Sequence, residues 1–95
     1  MSIRSWKSAQ AKAIFDGLDP GKGFPADLVE ATRRRLFRLH AATSLEDLRV
    51  PRSHRLHELQ GDRKGQWSIS VNDQFRVTFR WTDQGAEDVW FGDYH

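Results

Sequence analysis

The chain has 95 residues, a formal charge of +2, no cysteine, four histidines and 38% apolar residues, six Phe and four Trp among them. That length holds one core, so residues 1–95 read as a single domain, and the large side chains are sufficient to offset the entropy of ordering. Disulfides and thiolate chemistry are excluded, the dispersed histidines lack metal-ligand spacing, and no cofactor motif is present. No apolar run reaches the roughly 18–20 residues of a membrane span and Met1 to Gln10 lacks a secretory stretch, so a cytoplasmic protein without membrane contact is expected.

Ser2 to Trp6 reads as a short strand. Ala11, Ile14, Phe15 and Leu18 then recur at helical spacing until Asp19-Pro20-Gly21 stops the helix. Pro25 suits the first turn of a second helix, whose buried stripe is Leu28, Val29, Thr32, Leu36 and Leu39. Glu30, Arg34 and Phe37 fall on its other face, where Phe37 either packs under a wide core or serves a partner. A polar connection runs from Thr43 to Arg52. Arg55 to Gln60 reads as a strand with a bulge or bend, because Leu56 and Leu59 break strict alternation.

From Trp67 the period becomes two, with Trp67, Ile69 and Val71 opposed to Ser68, Ser70 and Asn72. Across a hairpin turn at Asn72-Asp73-Gln74, Phe75, Val77, Phe79 and Trp81 alternate with Arg76, Thr78, Arg80 and Thr82. Asp88 to Tyr94 supplies a last strand. Helices followed by strands imply an α+β fold in which two N-terminal helices cover the dry face of a small antiparallel sheet. The other sheet face carries polar groups, with Trp90 as an external stacking platform and Trp67 and Trp81 in the core set.

Charge is segregated. Arg33, Arg34, Arg35, Arg38, Arg49, Arg52, Arg55, Arg63 and Lys64 make the middle basic, whereas Asp83, Glu87, Asp88 and Asp93 make the end acidic. Such a split reads either as a polyanion-binding surface whose contacts salt weakens, or as a solvated helix face. Arg76 projects from the polar face of a central strand, where it could clamp a phosphate through two N–H groups, or pair with Asp93 or a cross-strand acid. His57 and His95 are candidates for metal-independent RNA cleavage, in which a base takes the 2′-hydroxyl proton and an acid protonates the leaving 5′-oxygen. Structural roles as a strand hydrogen-bond partner and an exposed terminal residue stand beside these. The terminal carboxylate makes His95 a better acid than base; Tyr94 could touch a phosphate or a base, and Asp93 could orient a histidine or an arginine.

The run RLHELQGDRKGQWSISVN from Arg55 to Asn72, the following DQFRVTFR to Arg80, and the terminal Asp93-Tyr94-His95 resemble the HigB family within the RelE/ParE toxin superfamily. The resemblance extends from Ile3-Arg-Ser-Trp6 to the last residue. It implies a RelE-like fold and a type II toxin that enters the ribosomal A site beside 16S rRNA and cleaves mRNA without cofactor or metal, inhibiting translation and growth. The family's catalytic histidine falls on His57, its phosphate-binding arginine on Arg76 and its C-terminal group on Asp93, Tyr94 and His95; Arg55, Arg63, Lys64 and Arg80 are the expected RNA-binding cations. Gln60 stands where relatives often carry Lys, which implies weaker cleavage or a substitute cation from Arg63 or Lys64. The implied partner is a HigA-type helix-turn-helix antitoxin, through which alone operator DNA is contacted, with the Phe37 surface of the second helix as its candidate docking face. A ParE-like gyrase inhibitor and a noncatalytic RNA- or ribosome-binding module are the competing readings.

Overall fold

In the computed structural model, which describes residues 3–93, the chain enters the fold along the edge of its last strand. Instead of the expected strand from Ser2 to Trp6, two isolated parallel bridges form, Ile3 to Ala86 and Trp6 to Val89; Ser2 itself lies outside the described residues. A regular ladder is interrupted because Asp88 adopts a left-handed φ of 54° and donates its N–H to Ser5 Oγ (2.8 Å) rather than to a backbone carbonyl. Helix α1, Ala9–Phe15, is capped by Ser8, whose Oγ accepts from the Ala11 N–H, and buries Ala11 and Ile14. Leu18 lies beyond it and is 63% exposed, not part of the expected stripe. The reason is local: Gly17 at φ 79° ends the helix, and the N–H groups of Gly17 and Leu18 donate back to Ile14 and Ala13, closing a Schellman turn that carries the chain away.

Pro25 precedes a 3-10 turn, Ala26–Leu28, which leads into α2, Val29–Ala41. Thr32, Leu36 and Leu39 are its buried residues, with Leu28 and Val29 partly buried against the same core. Phe37 is 51% exposed and meets the edge of Phe15 at 5.5 Å, so it lies outside the stripe. The four strands, β1 His57–Glu58, β2 Gln66–Ser70, β3 Arg76–Thr82 and β4 Gly85–Gly92, form an antiparallel sheet in chain order. Ile69, Val71, Val77, Phe79, Val89 and Phe91 join Ala11, Ile14, Leu36 and Leu39 in one core, so the helices cover the face that the alternation marked as dry. The α+β class and the β2–β3 hairpin are as expected, the turn being held by Asn72 Oδ1, which accepts from the N–H groups of Gln74 and Phe75.

Two boundaries differ from expectation. The strand expected over residues 55–60 shrinks to two residues, because Arg55 takes a left-handed φ of 48° at the end of a 3-10 turn and directs the chain off the ladder before His57. The last strand starts three residues earlier than Asp88, since the tight Asp83-Gln84 turn, secured by Thr82 Oγ1, returns the chain directly onto β3.

The connection expected to be polar folds into 3-10 turns at Leu45–Arg49 and Arg52–His54 and buries Leu48 and His54. His54 is 0% exposed and its Nδ1–H donates to the Leu48 carbonyl at 3.0 Å. Burial, then the nearby charges of Arg35 and Arg38, push this imidazole below the ordinary histidine value, against an opposing pull from the Leu48 bond. The unfolded chain takes up a proton near pH ~6.5 that the folded chain resists, so stability is complete above that pH and falls as acidity rises through it. Melting temperature should drop between about pH 7.5 and pH 5.5, and drop less in His54→Gln. Equal pH slopes for the two proteins would assign the acid lability to other groups.

Candidate active site

Strand register builds the polar face row by row. His57 pairs with Ser68, Ser68 with Thr78 and Thr78 with Trp90, so one row crosses all four strands on the face away from the helices. The next row aligns Ser70, Arg76 and Gly92, and the chain then leaves β4 at Asp93. This face carries polar groups, as the alternation suggested, but it is covered: Ser68 and Thr78 are both 0% exposed. The cover is the 3-10 turn Gly61–Arg63, which brings the Arg63 guanidinium to Thr78 Oγ1 (3.3 Å) and Gln66 Oε1 (3.4 Å), 5.5 Å above the Trp90 ring. A cation over an indole face is attracted by the ring quadrupole, which fixes Arg63 in the centre of the site.

His57 stands exposed at the end of this row. Its Nδ1 lies 3.0 Å from the Arg55 carbonyl, which can only accept, so Nδ1 carries the proton and the basic lone pair of the neutral ring sits on Nε2. Arg76 is half-buried, and its Nη1 donates to Ser70 Oγ at 3.3 Å, which holds the guanidinium along the strand. Asp93 accepts from Gln74 Nε2 at 3.1 Å, tying the end of β4 to the β2–β3 turn beside Arg76. The arrangement offers an oriented imidazole, two guanidiniums and a carboxylate around the buried Ser68 and Thr78, a set suited to gripping and polarising a phosphodiester.

Trp90 is half-buried on this face, as the sequence indicated, and its ring lies across Gly92. A Cβ on Gly92 would approach the ring carbons to 2.3 Å, so only glycine leaves room for this rotamer. Gly92→Ala should therefore displace the indole and release Arg63 from it. A shifted tryptophan emission together with impaired activity is expected; emission and activity both like wild type would show that the ring position is unimportant.

The remaining expected residues divide. Arg80 is exposed, 3.7 Å from Asp88, at the rim opposite Gln66. Lys64 is exposed at the end of the covering turn. Arg55 leaves the sheet through its left-handed conformation and faces Asp73 at 3.8 Å, so it belongs to the sheet edge rather than to the central row. Tyr94 and His95 lie outside the described residues. Gln60 is exposed and precedes the covering turn, while Arg63, three positions on, places the cation over the site. Sequence reading missed Gln66, Ser68, Ser70 and Thr78 as parts of the site; their signal was small polar residues recurring every second position in central strands.

Among the described residues, no three His, Cys, Asp or Glu side chains gather as a metal site, and no helix is long and apolar enough to cross a membrane. The fold is similar to that of YafQ from Escherichia coli, with a TM-score of 0.57 at 16% identity, covering 98% of this chain and 92% of that one. It is equally similar to a YoeB/ParE toxin from Agrobacterium tumefaciens, with a TM-score of 0.58 at 18% identity over the whole of both chains. In sequence, the chain is 35% identical to Endoribonuclease HigB of Proteus vulgaris over 94 residues, covering 98% of this chain and 99% of that one. It is 42% identical to Toxin HigB-1 of Vibrio cholerae over 59 residues, 62% of each chain. The HigB-like toxin family, described as RelE-like toxins of type II toxin–antitoxin systems, matches residues 4–95. That match spans both helices, the covering turn and every strand, and so the chain belongs to the HigB-like family of type II toxins, proteins that are paired with an antitoxin.

Proposed function

We propose that this toxin is an endoribonuclease that cuts mRNA on the ribosome, in the cytoplasm, at the face lined by His57, Arg63 and Arg76. The single observation that carries the reading is the register that sets an Nε2-basic His57, Ser68, Thr78 and Trp90 in one row, with Arg63 seated over Trp90 and Arg76 in the next row. His57 Nε2 takes the proton of the 2′-hydroxyl, whose oxygen attacks phosphorus while the bond to the 5′-oxygen breaks. Arg76 and Arg63 stabilise the charge that accumulates on the phosphoryl oxygens, Arg63 supplying the cation that Gln60 does not. The terminal group of Asp93, Tyr94 and His95 holds the substrate and protonates the leaving oxygen. The products are a 2′,3′-cyclic phosphate and a 5′-hydroxyl, with every atom supplied by the RNA and the proton-transfer groups.

The antitoxin is proposed to be a HigA-type helix-turn-helix protein that alone contacts operator DNA. Phe37 on α2, on the helical layer opposite the active face, is the proposed contact, which leaves that face uncovered. Primer extension on a translated message tests the reading. Discrete cuts that require ribosomes are expected; intact messenger accompanied by gyrase-linked DNA breaks would establish a gyrase inhibitor instead, and ribosome binding without cuts would establish a noncatalytic binder.

A further inference from the structure

Because β1 has only two residues, it pairs with Ser68 and Trp67 and leaves the edge of β2 open from Ser70 onward. There the Ser70 carbonyl points out of the ladder and accepts from Arg35 Nε, reaching across from α2, at 2.8 Å. A pocket of about 170 Å³ lies at this edge, bordered by Arg35, Ser53, Arg55, Ser70, Asn72 and Asp73. Ser70 thus sits between two guanidiniums: its carbonyl holds Arg35 and its hydroxyl holds Arg76. We propose that this edge pocket is a second phosphate subsite, in which Arg35 and Arg55 grip the RNA linkage adjacent to the one cleaved; the proposal rests on the cleavage reading above.

The chemistry of the pocket supports an anion. The bond to Ser70 engages one of the five N–H donors of Arg35, leaving the fork fixed in orientation with further donors to offer. Burial, then the charges of Arg34 and Arg38, push the Arg35 pKa down, a strain that a bound anion relieves. Arg55 is held near the pocket by its left-handed backbone, and Asp73, 98% exposed at 3.8 Å, is too loosely placed to compete with a phosphate. The volume is below the roughly 300 Å³ at which sites enclosing small molecules begin, so it suits one phosphodiester group rather than a base. Ser70 contacts both Arg35 and Arg76, which puts the pocket one residue from the proposed cleavage centre.

Messengers carrying one uncharged methylphosphonate at either linkage flanking the cut, loaded on ribosomes, test the subsite through single-turnover cleavage rates. Wild-type toxin should lose roughly tenfold at one flanking linkage, the effect of one charge-assisted contact. In Arg55→Ala the rate on ordinary messenger should be lower and the methylphosphonate should cost clearly less than in wild type, Arg35 alone remaining to feel the lost charge. Arg35→Lys should behave likewise, and circular dichroism reports whether its fold is kept. If Arg55→Ala loses as much as wild type at each flanking linkage, the subsite is wrong even though cleavage stands. If wild type cuts no messenger at all, the cleavage reading fails and the subsite with it.

Discussion

Arg76→Ala should lower single-turnover messenger cleavage by roughly 10²–10³-fold, the usual loss when one preorganised donor to a developing charge is removed. The side chain is half-buried on a central strand, between Ser70 on one side and Gly92 on the other, and its Nη1 donates to Ser70 Oγ. Its removal leaves the helix-facing core untouched, so far-ultraviolet circular dichroism and the melting transition should remain cooperative. Arg76→Lys keeps the charge but loses the fork, and should recover only part of the rate. A fully active Arg76→Ala protein would remove this residue from the chemistry and leave it a strand-pairing role.

His57→Gln should be comparably damaging, about 10²–10⁴-fold, because a positioned base contributes on that scale. Comparison of two variants separates a proton-transfer role from a structural one. Gln can still donate to the Arg55 carbonyl but cannot take a proton, so His57→Gln and His57→Ala should be equally slow. A Gln variant that keeps most of the wild-type rate while the Ala variant loses it would make His57 a positioning group. His57 is exposed on a two-residue strand, so neither outcome is confounded by loss of the core.

The parts of this protein that were legible in its sequence are those governed by local periodicity. Residues 66–71 and 75–82 alternate on either side of a short polar turn, and that alone yields β2, β3, the Asn72 turn and the placement of Ser68, Ser70, Arg76 and Thr78 on one face. The stripe on α2 was equally readable from Thr32, Leu36 and Leu39. What local pattern does not encode is what comes to lie over that face. Arg63 reads as one basic residue among many, yet the Gly61–Arg63 turn seats it on Trp90, a residue 27 positions away, and closes the polar floor from solvent.

Left-handed residues were the second source of error. Gly17 ends α1 before Leu18, Arg55 shortens the first strand, and Asp88 interrupts pairing with the N-terminal segment. Arg55 and Asp88 are not glycine, so composition gave no warning of either turn. Arg35 shows the remaining blind spot. Within a run of arginines it reads as a solvated helix face, whereas the missing β1 partner turns it into a cap on the Ser70 carbonyl.

The identity of the attacking nucleophile decides whether cleavage proceeds through the RNA's own 2′-hydroxyl. A messenger with a single 2′-deoxynucleotide immediately 5′ of the cut linkage, presented on ribosomes to the wild-type toxin, isolates it. Attack by the 2′-hydroxyl predicts that cleavage at that linkage is lost, while the unsubstituted messenger yields a fragment ending in a 2′,3′-cyclic phosphate. Undiminished cleavage of the deoxy-substituted linkage would contradict the mechanism and require a different nucleophile.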